Sequence, residues 1–133
     1  MACEQWKKEG LTECAKNGSL EGVKYLVENG ADVHAGKDLP LSLASSNGHL
    51  EVVEYLIIEG KADVHSWKEE ALRKASQHGH LKVVRYLVEV GGADVRACEN
   101  HTDCESAMQL AIMNGHLAVM TYLESQGATP CCE

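Results

Sequence analysis

A sequence motif that returns four times constrains the fold of this 133-residue chain more than any other feature. The copies are NGSLEGVKYLVENGADVHA at 17–35, NGHLEVVEYLIIEGKADVHS at 47–66, HGHLKVVRYLVEVGGADVRA at 78–97 and the shorter NGHLAVMTYLESQGATP at 114–130. Their first glycines, at positions 18, 48, 79 and 115, lie 30, 31 and 36 residues apart. Repeats of this length stack on their neighbours, so the sequence predicts a solenoid.

Each copy predicts a pair of helices. An apolar face at helical spacing predicts a helix near residues 50–59. Shorter helices are predicted in LPLSLASS and EEALRKASQ, where small alanines let a neighbouring helix approach closely. The pairs Asn47-Gly48 and His78-Gly79 are predicted to end these first helices, because glycine readily adopts the left-handed backbone of such a turn.

The spacing of the third and fourth pairs indicates an insertion. Ser66 and Glu69 have the spacing of a capping box, and Thr102 and Glu105 repeat it before the fourth pair. Aligning the two boxes leaves ACENH, residues 97–101, as an added loop.

The pattern NGHLEVVEYLIIEG-ADVH resembles the ankyrin repeat along nearly the whole chain. The usual Thr-Pro-Leu-His opening is replaced by LPLS, EALR and SAMQ, and only five residues separate His34 from Pro40. Such short copies look most like those of giant DNA viruses and some protists. The resemblance implies an all-α, ankyrin-type helix-pair solenoid of four short repeats with minimal β-hairpin fingers. It forms a single domain, 1–133, whose repeats fall roughly at 5–34, 35–65, 66–96 and 102–130, with the loop at 97–101.

The resemblance also implies a non-catalytic scaffold that binds a partner protein through the concave face of the repeats. The chain has no GxSxG, HExxH or phosphate-binding glycine loop, so we expect no enzyme activity and no cofactor. The alternative interpretation is a metal- or redox-responsive protein that uses the cysteine-rich C-terminal repeat.

The net charge and the cysteine content limit the class of partner and the cellular compartment that we expect. Twelve basic and 20 acidic residues give a net charge of 12 − 20 = −8, which disfavours binding to nucleic acid or anionic membranes. No apolar run approaches the roughly 20 residues of a membrane helix, and the N-terminus does not look like a signal peptide. The six cysteines are therefore expected to be thiols in a cytoplasmic monomer.

Candidate partner contacts come from the entries and ends of the first helices, from scattered basic residues and from the inserted loop. Trp6 and Trp67 stand at the entry to a first helix, where tryptophan is a frequent binding hot spot. Trp6 has the alternative role of covering the open end of the stack, and Trp67 that of local packing. The other candidates are basic residues, ends of first helices and the inserted loop: Lys37, Lys68, Arg96, Ser46, Gln77, His78, Met113 and His101.

Histidines recur at fixed repeat positions, which predicts structural hydrogen bonding rather than metal binding. His49, His80 and His116 share one position about 10 Å apart, too far to share a metal ion. His34 and His65 share another position. The remaining metal alternative is Cys98, His101 and Cys104, with Cys131 or Cys132 as a conceivable fourth ligand. We rank a loop with free thiols first, a Cys98–Cys104 disulfide second and zinc third.

Gly22 stands where later repeats carry valine, at positions 52, 83 and 119. The absence of valine predicts that no repeat packs in front of the first one.

Overall fold

The computed structural model describes the backbone of residues 2–96 and 106–128, and the side chains of these residues except 2–8, 67 and 68. Regular structure in these ranges is entirely α-helical, without a strand. The helices of the described residues are α1 (Ala2–Asn17), α2 (Leu20–Glu28), α3 (Ala35–Ser46), α4 (Leu50–Ile58), α5 (Ser66–Gln77), α6 (Leu81–Glu89), α7 (Ala107–Met113) and α8 (Leu117–Ser125). They form four consecutive pairs, so the predicted all-α helix-pair solenoid is confirmed.

The second helix of each pair buries one apolar stripe. The helix predicted near residues 50–59 is α4, and its Val52, Val53 and Leu56 are buried. One leucine per second helix occupies the same repeat position and is buried: Leu26, Leu56, Leu87 and Leu123. Burial of each such side chain contributes about 2 kcal/mol. Since a single pair has no partner for its stripe, this stabilisation requires that neighbouring pairs stack.

The first helices pack on one another more extensively than the second helices do. Three small residues at the same repeat position of α1, α3 and α5 have no exposed surface: Ala15, Ser45 and Ser76. A small side chain at a helix contact lets two backbones approach closely. The stack is therefore tightest along the side formed by α1, α3, α5 and α7.

The predicted glycine turns are present between the helices of each pair. Gly48 and Gly79 both have φ of 75°, in the left-handed region, and Asn47 and His78 cap the preceding helices. The backbone N–H groups of these caps donate to carbonyls of the last helical turn. Glycine adopts this backbone without the steric cost that a side chain would bring.

The beginnings of the first helices differ from the prediction. Glu69 has φ of 63°, and its side chain receives the hydrogen bond of His65 Nδ1. Ser66 Oγ donates instead to the carbonyl of Lys37 at 2.7 Å. The predicted Ser66–Glu69 capping box is therefore wrong, because the left-handed backbone turns Glu69 towards His65. The second predicted box lies at 102–105, outside the described residues.

The first helix of the second pair, α3, also begins with left-handed backbone. Gly36, Lys37 and Asp38 are consecutive left-handed residues, with φ between 60° and 65°. Before the short α7, by contrast, Ser106 has extended backbone and its Oγ accepts from Gln109 N at 3.2 Å.

Gly22 has a local explanation that sequence reasoning missed. A β-carbon on Gly22 would lie 2.6 Å from Sγ of Cys14. The later pairs combine an alanine with a valine at these two positions, for example Ala44 with Val52, whereas the first pair combines a cysteine with a glycine. The glycine is thus required by its own helix pair, and it gives no information about what precedes it.

Candidate binding surface

Three histidine rings join neighbouring helix pairs at the turns. The His49 ring donates from Nε2 to the carbonyl of Lys16 at 3.0 Å, and the His80 ring bonds to the carbonyl of Ser46. Each ring, including that of His116, lies flat against the glycine of the preceding turn. A β-carbon on glycine 18, 48 or 79 would come within 2.5, 2.6 and 2.5 Å of the respective Nδ1. We call this arrangement the glycine–histidine contact. The predicted structural hydrogen bond is confirmed for His49 and His80.

The second recurring histidine position lies directly before α3 and before α5. His34 Nδ1 bonds to Asp38 Oδ1 at 2.7 Å, and His65 makes the same type of bond to Glu69. Asp38 Oδ1 also accepts from the backbone N–H of Asp63 at 3.1 Å, which ties one loop to the next. The hydrogen bond to Glu69 is the main reason that the pKa of His65 is raised. Structural hydrogen bonding is therefore confirmed at this position as well.

The ends of the first helices bring three predicted partner contacts into the same register. Ser46 ends α3 and is half-buried, and its carbonyl is used by His80. Gln77 ends α5, half-buried, and its Oε1 accepts from Lys74 Nζ at 3.4 Å. Met113 ends α7 with 68% of its surface exposed. Successive first helices thus present these ends side by side.

Other predicted contacts are spread more widely. His78 follows α5, is exposed, and its ring centroid lies 6.4 Å from that of His80. Lys37 is exposed in the left-handed segment before α3. Arg96 Nε donates to the carbonyl of Gly127 at 3.0 Å, so its guanidinium is held against the fourth helix pair.

Several predictions fall outside the described residues. The side chains of Trp6, Trp67 and Lys68 are among them, as is His101 in the inserted loop. The alternative metal ligands Cys98 and Cys104 and the terminal Cys131 and Cys132 also lie outside. Within the residues that the structure does describe, no group of three His, Cys, Asp or Glu side chains could hold a metal ion.

An exposed apolar area on the fourth helix pair was not predicted. Ile112 is 39% exposed and Leu117 is 68% exposed, next to Met113. Ile112 occupies the position at which the earlier pairs bury Ala15, Ser45 and Ser76. A large residue where three copies have a small one was the sequence signal that could have revealed this surface. A β-carbon on Gly115 would likewise meet no atom within 4 Å among the described residues.

The second-helix side carries its own features. A shallow groove of about 270 Å³ is lined by Leu50, Lys82, Arg85, Tyr86, Glu89 and Val90. Next to it, the Tyr122 hydroxyl donates to Glu89 Oε2 at 2.8 Å, and Arg85 Nε donates to the same oxygen at 3.3 Å. Burial and this bond to the carboxylate raise the pKa of Tyr122 to about 12.

Comparison with known proteins gives the same class as the helix-pair geometry. A sequence profile described as ankyrin repeats, in three copies, matches residues 2–66 and 41–133. Because these matches span more than half of the sequence, the chain belongs to the ankyrin repeat family. Members of this family are generally protein–protein interaction modules and typically lack enzyme activity.

The chain is similar to short parts of much longer relatives. It is 39% identical over 57 residues to the human ankyrin repeat and KH domain-containing protein 1, covering 43% of this chain and 2% of that protein. It is 48% identical over 52 residues to alpha-latrotoxin-Lh1a of Latrodectus hasselti, covering 38% and 4% respectively. It is 44% identical over 52 residues to a putative ankyrin repeat protein of Acanthamoeba polyphaga mimivirus, covering 39% and 9%. In the described part of the chain, no helix is both long and apolar enough to cross a membrane.

Proposed function

We propose that this chain binds a partner protein through the first-helix side of its stacked pairs, which is the concave side expected for the family. The observation that carries this proposal is the shared register of Ser46, Gln77 and Met113 on the neighbouring helices α3, α5 and α7. These residues differ in chemistry while the turn residues beside them repeat. Variable side chains on a constant scaffold are what a specific protein-binding surface requires.

The rigidity of the first-helix side also supports the proposal that this side binds the partner. The Ser46 carbonyl is bonded to His80, and the Lys16 carbonyl, at the equivalent position of α1, is bonded to His49. The tight packing of the first helices also fixes their spacing. A surface that is already ordered loses little conformational entropy when it binds.

The remaining assignments follow from charge and from cysteine chemistry. A net charge of −8 favours a protein partner over nucleic acid or anionic lipid. We propose a monomer that works in the cytoplasm, where reducing conditions keep cysteines as thiols. No observation on the described residues favours the metal- or redox-responsive alternative.

Site-specific photo-crosslinking tests which side binds. A photoreactive residue replaces Gln77 or Met113 on the first-helix side, and the matched controls carry it at Ile58 or Val90, which are 49% and 55% exposed at the ends of α4 and α6. Each protein is illuminated in a lysate of its source cells. We expect one adduct from positions 77 and 113, and its loss when excess unlabelled chain is added.

Adducts from the two control positions alone would contradict the proposal and would point to the second-helix groove.

A further variant addresses Trp67, at the beginning of α5. If it is a hot spot, Trp67→Ala weakens binding to the captured partner by about 2 kcal/mol, roughly thirtyfold, without lowering the melting temperature. A lower melting temperature with unchanged affinity would instead make Trp67 a packing residue.

A further inference from the structure

A tyrosine recurs at one position of every second helix: Tyr25, Tyr55, Tyr86 and Tyr122. The last three are half-buried, and each interacts with a charged side chain of the preceding helix pair. That side chain is a cation at Tyr55 and Tyr122, and the carboxylate of Glu54 at Tyr86. Tyr25, in the first pair, is instead 61% exposed. Its ring therefore presents to solvent a surface that its three counterparts use for a contact.

Two of the half-buried rings show which contact this position favours. Lys24 Nζ lies 5.9 Å from the centroid of the Tyr55 ring, and Arg85 Cζ lies 5.7 Å from that of Tyr122. A cation at this distance over a tyrosine face is attracted by the electrons of the ring. Arg85 Nε also donates to a carboxylate oxygen, Glu89 Oε2, at 3.3 Å. The chain thus contains an arginine that is held jointly by a tyrosine ring and a carboxylate.

A carboxylate lies on the same face of α2 as the exposed ring. Glu21 precedes Tyr25 by four residues and is exposed, and residues at this spacing are neighbours on a helix surface. In the third pair, Lys82 and Tyr86 occupy the same two positions, and both line the groove that Leu50 of the preceding pair also lines. By the repeat, Glu21 and Tyr25 face the corresponding direction, away from the second pair.

The charges at this face favour a cation. Within the part of the chain that the structure describes, Glu21 has no ion pair. Lys24 is the only basic residue of α2, and it is directed to the second pair, where it lies over Tyr55. The net charge of −8 adds a general attraction for basic partners. Among cations, arginine suits this combination best, because its planar guanidinium stacks on an aromatic ring while its N–H groups donate to a carboxylate.

We propose that Tyr25 and Glu21 form a binding site for an arginine side chain of a partner protein. The guanidinium stacks on the Tyr25 ring and donates to the Glu21 carboxylate, which is the combination that Arg85 has with Tyr122 and Glu89. The site lies on the second helix of the first pair. It is therefore separate from the first-helix surface proposed above and does not depend on it.

NMR titration of the full chain at low ionic strength, with two matched peptides, tests the proposal. The probes are acetyl-Gly-Arg-Gly-amide and the same peptide with citrulline, which keeps the shape of arginine without its charge. The arginine peptide should shift the ring resonances of Tyr25 and the amide resonance of Glu21 in a saturable manner. The ring of Tyr55, already covered by Lys24, should shift much less. The citrulline peptide should produce no saturable shift.

Two variants and one control locate the binding site. Tyr25→Leu should weaken binding of the arginine peptide by about threefold, which corresponds to the loss of one exposed cation–π contact. Glu21→Gln should weaken it as well, whereas Glu51→Gln, at the same exposed position of α4, should leave it unchanged.

Equal shifts with the arginine and citrulline peptides would overturn the proposal, and so would an affinity that neither Tyr25→Leu nor Glu21→Gln changes. Equal losses for Glu21→Gln and Glu51→Gln would overturn it too, because they would show general attraction to an acidic chain. The comparison of the two peptides uses the wild type alone, so it does not depend on whether any variant folds.

Discussion

The glycine–histidine contact predicts different costs for one substitution at two glycines with the same backbone. Gly48 has φ of 75° and Gly115 has φ of 73°, so alanine meets a similar left-handed strain of about 1 kcal/mol at either site. At Gly48 alone, the new methyl group would lie 2.6 Å from Nδ1 of His80 and must displace the ring. Displacement costs a hydrogen bond of about 1 kcal/mol and about as much again in packing. We therefore expect losses of about 3 kcal/mol for Gly48→Ala and about 1 kcal/mol for Gly115→Ala.

Equilibrium unfolding in urea, followed by circular dichroism, measures both losses under identical conditions. The double variant Gly48→Ala/His80→Ala provides the control, since no ring is left to displace. Relative to His80→Ala, adding Gly48→Ala should cost only the backbone strain of about 1 kcal/mol. Equal losses for the two single glycine variants would refute the reasoning, because they would show that the ring contact does not hold neighbouring pairs together.

Three further predictions concern other contacts. Gly22→Val should destabilise the wild type but stabilise Cys14→Ala, because the valine methyls need the space of Sγ, with a coupling of at least about 1 kcal/mol in a double-mutant cycle. Ultraviolet titration should show that the Tyr122 phenol ionises near pH 12, and Glu89→Gln should bring its pKa closer to the ordinary value of 10. The raised pKa of His65 should make its bond to Glu69 stabilising below the unfolded-state pKa and progressively weaker as the pH rises through the folded-state value. NMR titration checks this, because Glu69→Gln should lower the His65 pKa.

The helix pairs could be predicted because their positions are set by repeated core contacts. The glycine turns and the leucine of each second helix recur at one position per copy, so a single alignment locates them in all four pairs. The N-terminal turns of the first helices are less regular from one repeat to the next. The capping box predicted at Ser66 is absent because the Glu69 side chain is bonded to His65 instead. That bond depends on a left-handed backbone at Glu69, which a stretch of sequence without glycine does not indicate.

The sequence also did not reveal that a large residue at one position is matched by a small residue at another. Cys14 and Gly22 are eight residues apart, and only their packed geometry shows that one requires the other. Surface positions are different again. The repeat register correctly predicted that Met113 ends a first helix, and the structure adds that it is exposed. Exposed side chains make few contacts that constrain their identity, so the register ranks candidate contacts without selecting among them.

Hydrogen exchange of the chain bound to its captured partner tests the central proposal most directly. Bound and free chain are compared at the ends of the first helices, residues 43–46, 74–77 and 110–113, and at the ends of the second helices, residues 55–58 and 86–89. The proposed surface predicts slower exchange at the first-helix ends on binding, with the second-helix ends unchanged. Slower exchange confined to the second-helix ends would contradict it.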